Sequence, residues 1–443
     1  MPQIAAFKGL RFDPGRVSSI SRVIAPPYDV VGPEMEKELL AGDPHNIIRL
    51  TLAKTPPQGR RPEDYAAAAE RLRRWREEGT LVQDEAPCIY IVEQGFRWRG
   101  QAFCRVGFVG AVLLEEFDKG SIRPHERTMS APRSDRLLLS EACKATLSQV
   151  LGVYSDPQGQ ADGLVGGMRE GPPLYEFDAA GVHYRMWKVS EPGSIHRLAG
   201  LLRERLLFIA DGHHRYESAL EYRRRHRGSA PEGQAPEDYI SVLCVSIANS
   251  GLKMFPTHRG VKLTQGLSEK ALKDRLAPQL SLVKLSPPAP ANAEGAFEAA
   301  CRSSSSVGCY LPGEGLYLVE PRDAASLDAL RGRFPQAARA WCSSAVGILH
   351  YVLLPDLCAI APGSPEETDR LEFSRDVEAL CRRIDEDRAA VAFLLPTMDP
   401  KVVEEAASRG ERMPMKSTYF YPKVPAGLVI YAHDGGTGCQ RVS

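Results

Sequence analysis

Residues 206–227 read LLFIADGHHRYESALEYRRRHR. Leu206–Ala210 is an apolar run of strand type, a sharp polar turn follows, and the rest has the spacing of an amphipathic helix. The first N–H groups of a helix entered from such a turn lack backbone partners and carry partial positive charge, so they suit a phosphate. Gly212 lets the backbone approach a ligand closely. Arg215 offers a two-pronged donor to phosphate oxygens, and His213 and His214 add imidazole donors. The plainer reading makes Asp211 an N-cap on an ordinary strand-to-helix turn. A cap needs one Asp and does not need Gly-His-His-Arg.

Three other stretches carry chemistry-bearing residues. Residues 123–128, RPHERT, precede Ser134-Asp135-Arg136. His125, Glu126 and Arg136 in a turn-rich segment suit proton transfer, metal contact or anion binding, and equally a solvated loop leading to a capped helix. Pro256-Thr257-His258-Arg259 stands at the end of a short strand, where a core or capping His is the alternative. Residues 416–423, KSTYFYPK, have strong β propensity, with Pro422 as a stop. Propensity explains the aromatics. Lys416 beside Ser417, Thr418 and Tyr419 suits a phosphate or a substrate carboxylate, so the segment is expected to return to the cleft of Arg215.

Outward from these motifs, residues 19–30 and 46–52 read as short strands, and 63–78 as an amphipathic helix closed by Gly79. Residues 88–117 read as aromatic-rich strands, and PLYEF and VHYRMWKV as a pair turning at Gly181. Residues 286–295, SPPAPANAEG, are the best linker candidate, and YLPGEGLYLVE is a hairpin. Strands and helices do not alternate as βαβ units, which argues for α+β with mixed sheets.

The chain has 443 residues, 43% hydrophobic and 25% charged, which excludes a disordered, collagenous or coiled-coil protein. Lys+Arg and Asp+Glu are 56 each, so no global field draws nucleic acid or anionic membrane. No apolar run reaches the ~18 residues of a membrane span, and no secretory leader is visible. Ten cysteines without a CxxC pair read as buried thiols in a reducing cytoplasm. The P-loop, GxGxxG, HExxH, GxSxG and kinase signatures are absent.

APPYDV (25–30), RPHERT with its following Asp135-Arg136, IADGHHRYESAL, PTHR and MKSTYFYPK occur in this order. In this the chain resembles the bacterial and archaeal domain-of-unknown-function family 1015, from about residue 5 to 430. Gln149 and Met415 depart from the family pattern, which favours Pro and Gln there. More widely, DGHHRYESAL is similar to the G-x-H-R-x-x-A box of the ParB/sulfiredoxin-like superfamily at Gly212, His214 and Arg215, with Ala219 one position late. That box binds nucleotide phosphates, and the superfamily's free-serine kinases resemble this chain most.

The resemblance implies an α+β fold with a ParB/sulfiredoxin-like nucleotide-binding core and a smaller C-terminal α+β part. It suggests three regions, 1–160, 161–285 and 286–443, carrying HERT-DR, DGHHR and KSTYFYPK respectively. It implies a cytoplasmic phosphotransferase that moves phosphate from ATP or ADP, with Mg²⁺, to the hydroxyl of a small metabolite such as free serine. Glu126, Asp211 and His125 would be catalytic. Gly212, His213, His214, Arg215, Arg136, His258 and Arg259 would bind phosphate or nucleotide. Lys416, Ser417, Thr418 and Tyr419 would bind substrate. No resident metal, nucleic acid or membrane partner is expected. The alternatives are a nucleotide-binding regulator of ParB-like type and a metal-dependent hydrolase.

Overall fold

Strands buried on both faces must bond along both edges, so their order fixes where the motifs lie. The structure is a computed structural model describing residues 2–51, 59–117, 120–126, 130–228, 231–286, 290–335, 340–387, 389–433 and 440–441. Its contacts divide the chain into two compact units. The first comprises Met1–Pro124, Thr128–Lys253 and Phe420–Ser443, and the second His125–Arg127 and Met254–Tyr419. The unit boundaries therefore do not fall at 160 or 285. Residues 290–295 of the expected linker open the helix Pro290–Ala300 of the second unit, and 287–289 lie outside the described residues.

The first unit is built on a mixed ten-stranded sheet. Along it run Ile122–Pro124, Leu207–Asp211, Val150–Tyr154, Tyr239–Ser246, Gln101–Leu113, Ile89–Trp98, Val182–Val189 and Tyr175–Ala179. Leu207–Asp211 is parallel to Ile122–Pro124 and antiparallel to Val150–Tyr154, and Tyr239–Ser246 is parallel to Val150–Tyr154. Ile4–Ala6 joins Gln101–Leu113, and Gln440–Arg441 joins Ile4–Ala6. Tyr239–Ser246 is buried along its whole length, as an apolar run between two neighbours requires. Ile89, Ile91, Phe108, Val112, Ile209, Tyr216 and Leu220 share the core with the helix faces of Gln160–Gly167 and Pro192–Arg203.

The second unit has a six-stranded antiparallel sheet. The order is Leu280–Ser286, Gly315–Pro321, Val307–Leu311, Ala390–Leu394, His258–Lys262 and Leu371–Ser374. Phe297 of Pro290–Ala300 and Leu380 and Ile384 of Val377–Glu386 pack on it. Both units are thus α+β, in agreement with the sequence.

Two expected strands are single helical turns instead. Ile20–Val23 is helical because Ser19 caps it, its hydroxyl accepting the Ser21 N–H. Ile48–Thr51 is helical because the Asn46 amide oxygen accepts the Ile48 N–H at 2.9 Å, while its NH₂ donates to the carbonyls of Arg22 and Ile24. A side chain that caps outweighs β propensity over so few residues.

Burial raises most of the thiols: Cys88 to about 11, and Cys143, Cys358 and Cys381 to about 12, which disfavours the nucleophilic thiolate. Cys439 lies outside the described residues. Among the described residues no helix is long and apolar enough to cross a membrane.

Asp84, 3% exposed, receives Tyr90 Oη at 2.7 Å, Arg11 Nε at 3.1 Å and Lys188 Nζ at 3.0 Å. Burial raises its pKa, and these partners outweigh burial and hold it below the ordinary carboxylate value. A depressed folded-state pKa contributes stability above the unfolded value, about 3.9, that disappears as pH falls through the folded one. Unfolding midpoints measured in an acid series are therefore expected to fall below about pH 4, and Asp84→Asn to flatten that slope.

Candidate functional site

The strand Leu207–Asp211 ends at Gly212, where φ is +90°, a left-handed conformation that glycine adopts without strain. The helix His213–His226 begins there, and Gly212, not Asp211, is its N-cap. No side-chain hydrogen bond from the N-cap residue closes its first turn. Released from capping, the Asp211 carboxylate takes two cations: Lys423 Nζ at 3.0 Å and Arg215 Nη2 at 3.2 Å. Arg215 also donates to Ser148 Oγ at 3.2 Å and to the Gln149 carbonyl. His213 is buried, and His214 is partly buried with its carbonyl accepting the Ser218 hydroxyl at 2.7 Å.

Arg136 reaches the same place from the helix Ser130–Cys143. Its guanidinium stacks 4.2 Å above the Tyr28 ring and donates to the Thr51 carbonyl at 3.1 Å. Asp135 beside it is 3% exposed and accepts from Arg136, Arg60 and, at 2.8 Å, Tyr65 Oη. Burial pushes that carboxyl up, and Arg136, Arg60 and Tyr65 push it further down, so its pKa lies below the ordinary value. Tyr65, buried and bonded to this carboxylate, is raised to about 12.

Arg136 and Arg215 line one cavity of about 40 Å³, with Tyr28, Ser140, Thr146, Ser148, Tyr222 and His433 among its other walls. Tyr28 is raised by burial, and Arg136 and, less strongly, Arg215 act against that rise. The two arginines come from motifs 79 positions apart in sequence and meet because Ser130–Cys143 packs along His213–His226. Ser218 Oγ lies 2.7 Å from both the His214 and the Arg133 carbonyls, so its one proton is shared between its own helix and the neighbouring one.

A Cβ on Gly212 would lie 2.8 Å from the Arg215 guanidinium and would require the strained left-handed φ. Gly212→Ala is expected to lower stability by about 1 kcal/mol and to displace Arg215, weakening phosphate binding. Thermal denaturation and calorimetry on one preparation check both effects.

The remaining expected site residues belong to the second unit, where they form a separate hydrogen-bonded cluster. Glu126 accepts the Thr418 N–H and hydroxyl, each at 3.1 Å, and the Lys416 N–H at 3.3 Å. His125 Nε2 lies 2.8 Å from Thr418 Oγ1, and Ser417 Oγ donates to the Pro414 carbonyl at 2.6 Å. Arg259, fully buried, donates to the carbonyls of Thr257, Met415 and Lys416, and burial pulls its pKa down to about 10. These bonds hold the turn at Lys416, whose φ is +56°. Tyr419 stacks under Arg375 at 4.1 Å. His258 Nδ1 accepts the Leu395 N–H at 3.1 Å, and burial followed by Arg259 lowers its pKa to about 4. Arg127 and Thr128 lie outside the described residues.

The structure thus gathers Asp211, Gly212, Arg215 and Arg136 in the first unit, and His125, Glu126, His258, Arg259 and Lys416–Tyr419 in the second. Of the two lysines in KSTYFYPK, Lys423 pairs with Asp211, and Lys416 belongs to the second unit. Sequence reasoning missed Tyr28, Arg60, Ser148 and Lys423 as site residues. The APPYDV motif and the KSTYFYPK motif were the available signals for Tyr28 and Lys423. Among the described residues no group of three or more His, Cys, Asp or Glu is placed to hold a metal ion.

Among solved structures, SbnI with C-terminal truncation from Staphylococcus aureus is similar at 11% identity and TM-score 0.35, covering 72% of this chain and 87% of that one. A free serine kinase in complex with AMP matches at 11% and 0.33, covering 71% and 90%. A conserved hypothetical protein from Pyrococcus furiosus matches at 12% and 0.31, covering 74% and 94%. No curated protein sequence matches. The model of the family described as "Protein of unknown function (DUF1015)" matches residues 4–336, a span that holds APPYDV, Asp135-Arg136 and DGHHR, and the chain belongs to that family.

Proposed function

We propose that the protein is a phosphotransferase that moves a phosphoryl group from a nucleotide to the hydroxyl of a small metabolite, with free serine as the first acceptor to try. The observation that carries the reading is the convergence of Arg136 and Arg215 on one cavity. Two guanidinium groups neutralise phosphoryl oxygens by charge-assisted hydrogen bonds, and Gly212 leaves room for the Arg215 guanidinium.

Phosphoryl transfer depends chiefly on positioning and charge neutralisation. In this reading Arg136 and Arg215 hold the transferred group while the acceptor oxygen attacks phosphorus and the bond to the leaving nucleoside phosphate breaks. Asp211 takes the hydroxyl proton. Glu126 is a holding residue, since its oxygens receive the Thr418 and Lys416 donors.

Among the described residues no cluster of three or more carboxylates, imidazoles or thiols would hold magnesium without the phosphates of a nucleotide. Asp211 is occupied by Lys423 and Arg215, and no three-ligand cluster is present there. No step is assigned to it.

The test is incubation of the pure protein with ATP, ADP or CTP, Mg²⁺ and a metabolite mixture containing serine, with mass spectrometry of the products. A new phosphorylated metabolite, absent with Arg215→Ala, supports the reading. Nucleotide and metabolite pools that stay unchanged with every donor refute it.

A further inference from the structure

One buried guanidinium of the first unit takes no part in the cavity. Arg105, in the strand Gln101–Leu113, is 1% exposed and forms no ion pair among the described residues. Its Nε, at 3.0 Å, and its Nη2 both donate to a single acceptor, Gln94 Oε1, and its Nη1 is buried with no hydrogen-bond partner. Burial pulls its pKa down to about 10, with the fields of Tyr184 and Asp211 acting the other way, so it stays charged at neutral pH. A buried charge with one neutral partner is costly, and what that partner does accounts for its presence.

A guanidinium only donates, so the Gln94 amide oxygen must face Arg105 and the NH₂ must face away. Turned that way, Gln94 Nε2 donates to the Lys423 carbonyl at 3.3 Å. Gln94 stands directly opposite Arg105 in the neighbouring strand Ile89–Trp98, so the sheet fixes both ends of the bond. Two positions along, Phe96 meets Tyr421 edge-on, with ring centroids 5.0 Å apart. The segment carrying Lys423 is thus held at two points of one strand, and its ammonium meets Asp211 Oδ1 at 3.0 Å.

We infer that Arg105 and Gln94 are positioning residues, which act through the Lys423 backbone to hold its ammonium on Asp211. All four residues belong to the first unit. The hold fixes the orientation of the carboxylate that takes the hydroxyl proton. That use of Asp211 rests on the phosphotransfer reading; the hold on Lys423 does not.

The experiment is competitive acetylation of the full chain with acetic anhydride at about pH 8, below the ordinary lysine pKa. Mass spectrometry reads the rate at Lys423 against Lys188, which pairs with Asp84 in the same unit. An amine held as an ammonium on a carboxylate is a poor nucleophile, so the rate reports the hold. Gln94→Glu keeps an acceptor for Arg105, which meets its new charge, and removes the donor to the Lys423 carbonyl. Arg105→Met removes the group that orients the amide. Both are expected to raise the Lys423 to Lys188 ratio severalfold, as is Asp211→Asn, with circular dichroism unchanged. Where a phosphorylated product forms, both positioning variants are expected to lower kcat and leave the nucleotide KM near that of wild type. An unchanged ratio in folded Gln94→Glu, or both lysines speeding together as a general loosening would make them, overturns the inference and leaves the phosphotransfer reading standing. A raised ratio with no product from any donor sustains the positioning and refutes that reading.

Discussion

Arg215→Ala is expected to weaken binding of inorganic phosphate or ATP by about tenfold to a hundredfold, the loss of roughly 1.5–3 kcal/mol that follows removal of a charged hydrogen-bond donor. The change removes one of two guanidinium groups lining the cavity and leaves Asp211 with Lys423. That remaining ion pair keeps the carboxylate from being stranded, so stability should fall less than affinity. Arg215→Lys restores the charge without the two-pronged geometry and should recover only part of the binding. Calorimetry with ATP and inorganic phosphate, beside thermal melts of the same samples, measures both quantities. Unaltered affinity in Arg215→Ala would remove the residue from the site.

The second large effect is expected at Asp135. Its carboxylate joins Arg60, Arg136 and Tyr65 in a buried cluster. Asp135→Ala removes the carboxylate that Arg60 and Arg136 share, and breaking a buried pair in this way costs about 3–5 kcal/mol. A drop of this size lowers the melting temperature by roughly 10 °C in a chain of a few hundred residues. Phosphate should partly rescue the variant, because a bound anion stabilises the folded state in proportion to its occupancy. Asp135→Asn keeps hydrogen-bonding capacity and should lie between wild type and Asp135→Ala. Differential scanning fluorimetry with and without phosphate decides it.

Arg215 and Arg136 were legible in the sequence because each sits in a dense polar motif at the edge of a strongly periodic helix. The alternation of residues 89–113 and the apolar run 239–246 also marked their strands clearly. What the sequence hid were the features set by contacts between distant residues. Ser19 and Asn46 turn short β-like stretches into helix through single hydrogen bonds. Lys423 meets Asp211 only because residues 420–443 rejoin the first unit. Pro124 and His125 are neighbours in sequence and belong to different units, a division that no local pattern records. The Asp211 cap was a sound local expectation, overtaken because Gly212 takes the left-handed turn and leaves the carboxylate to Lys423 and Arg215.

Because the first unit draws on both ends of the chain, its cation network has a fixed place in time as well as in space. A ribosome that has released Arg136, Asp211 and Arg215 still has about two hundred residues to make before Lys423 emerges. Until then Asp211 lacks one of its two cations, and the strand Ile4–Ala6 lacks Gln440–Arg441. A chain cut at residue 336, where the family match ends, would carry every residue of DGHHR and yet never assemble its full charge balance. The segment that carries Lys423 therefore acts as a completion signal: the nascent protein carries its arginines early and cannot finish their electrostatic setting until that segment has been made.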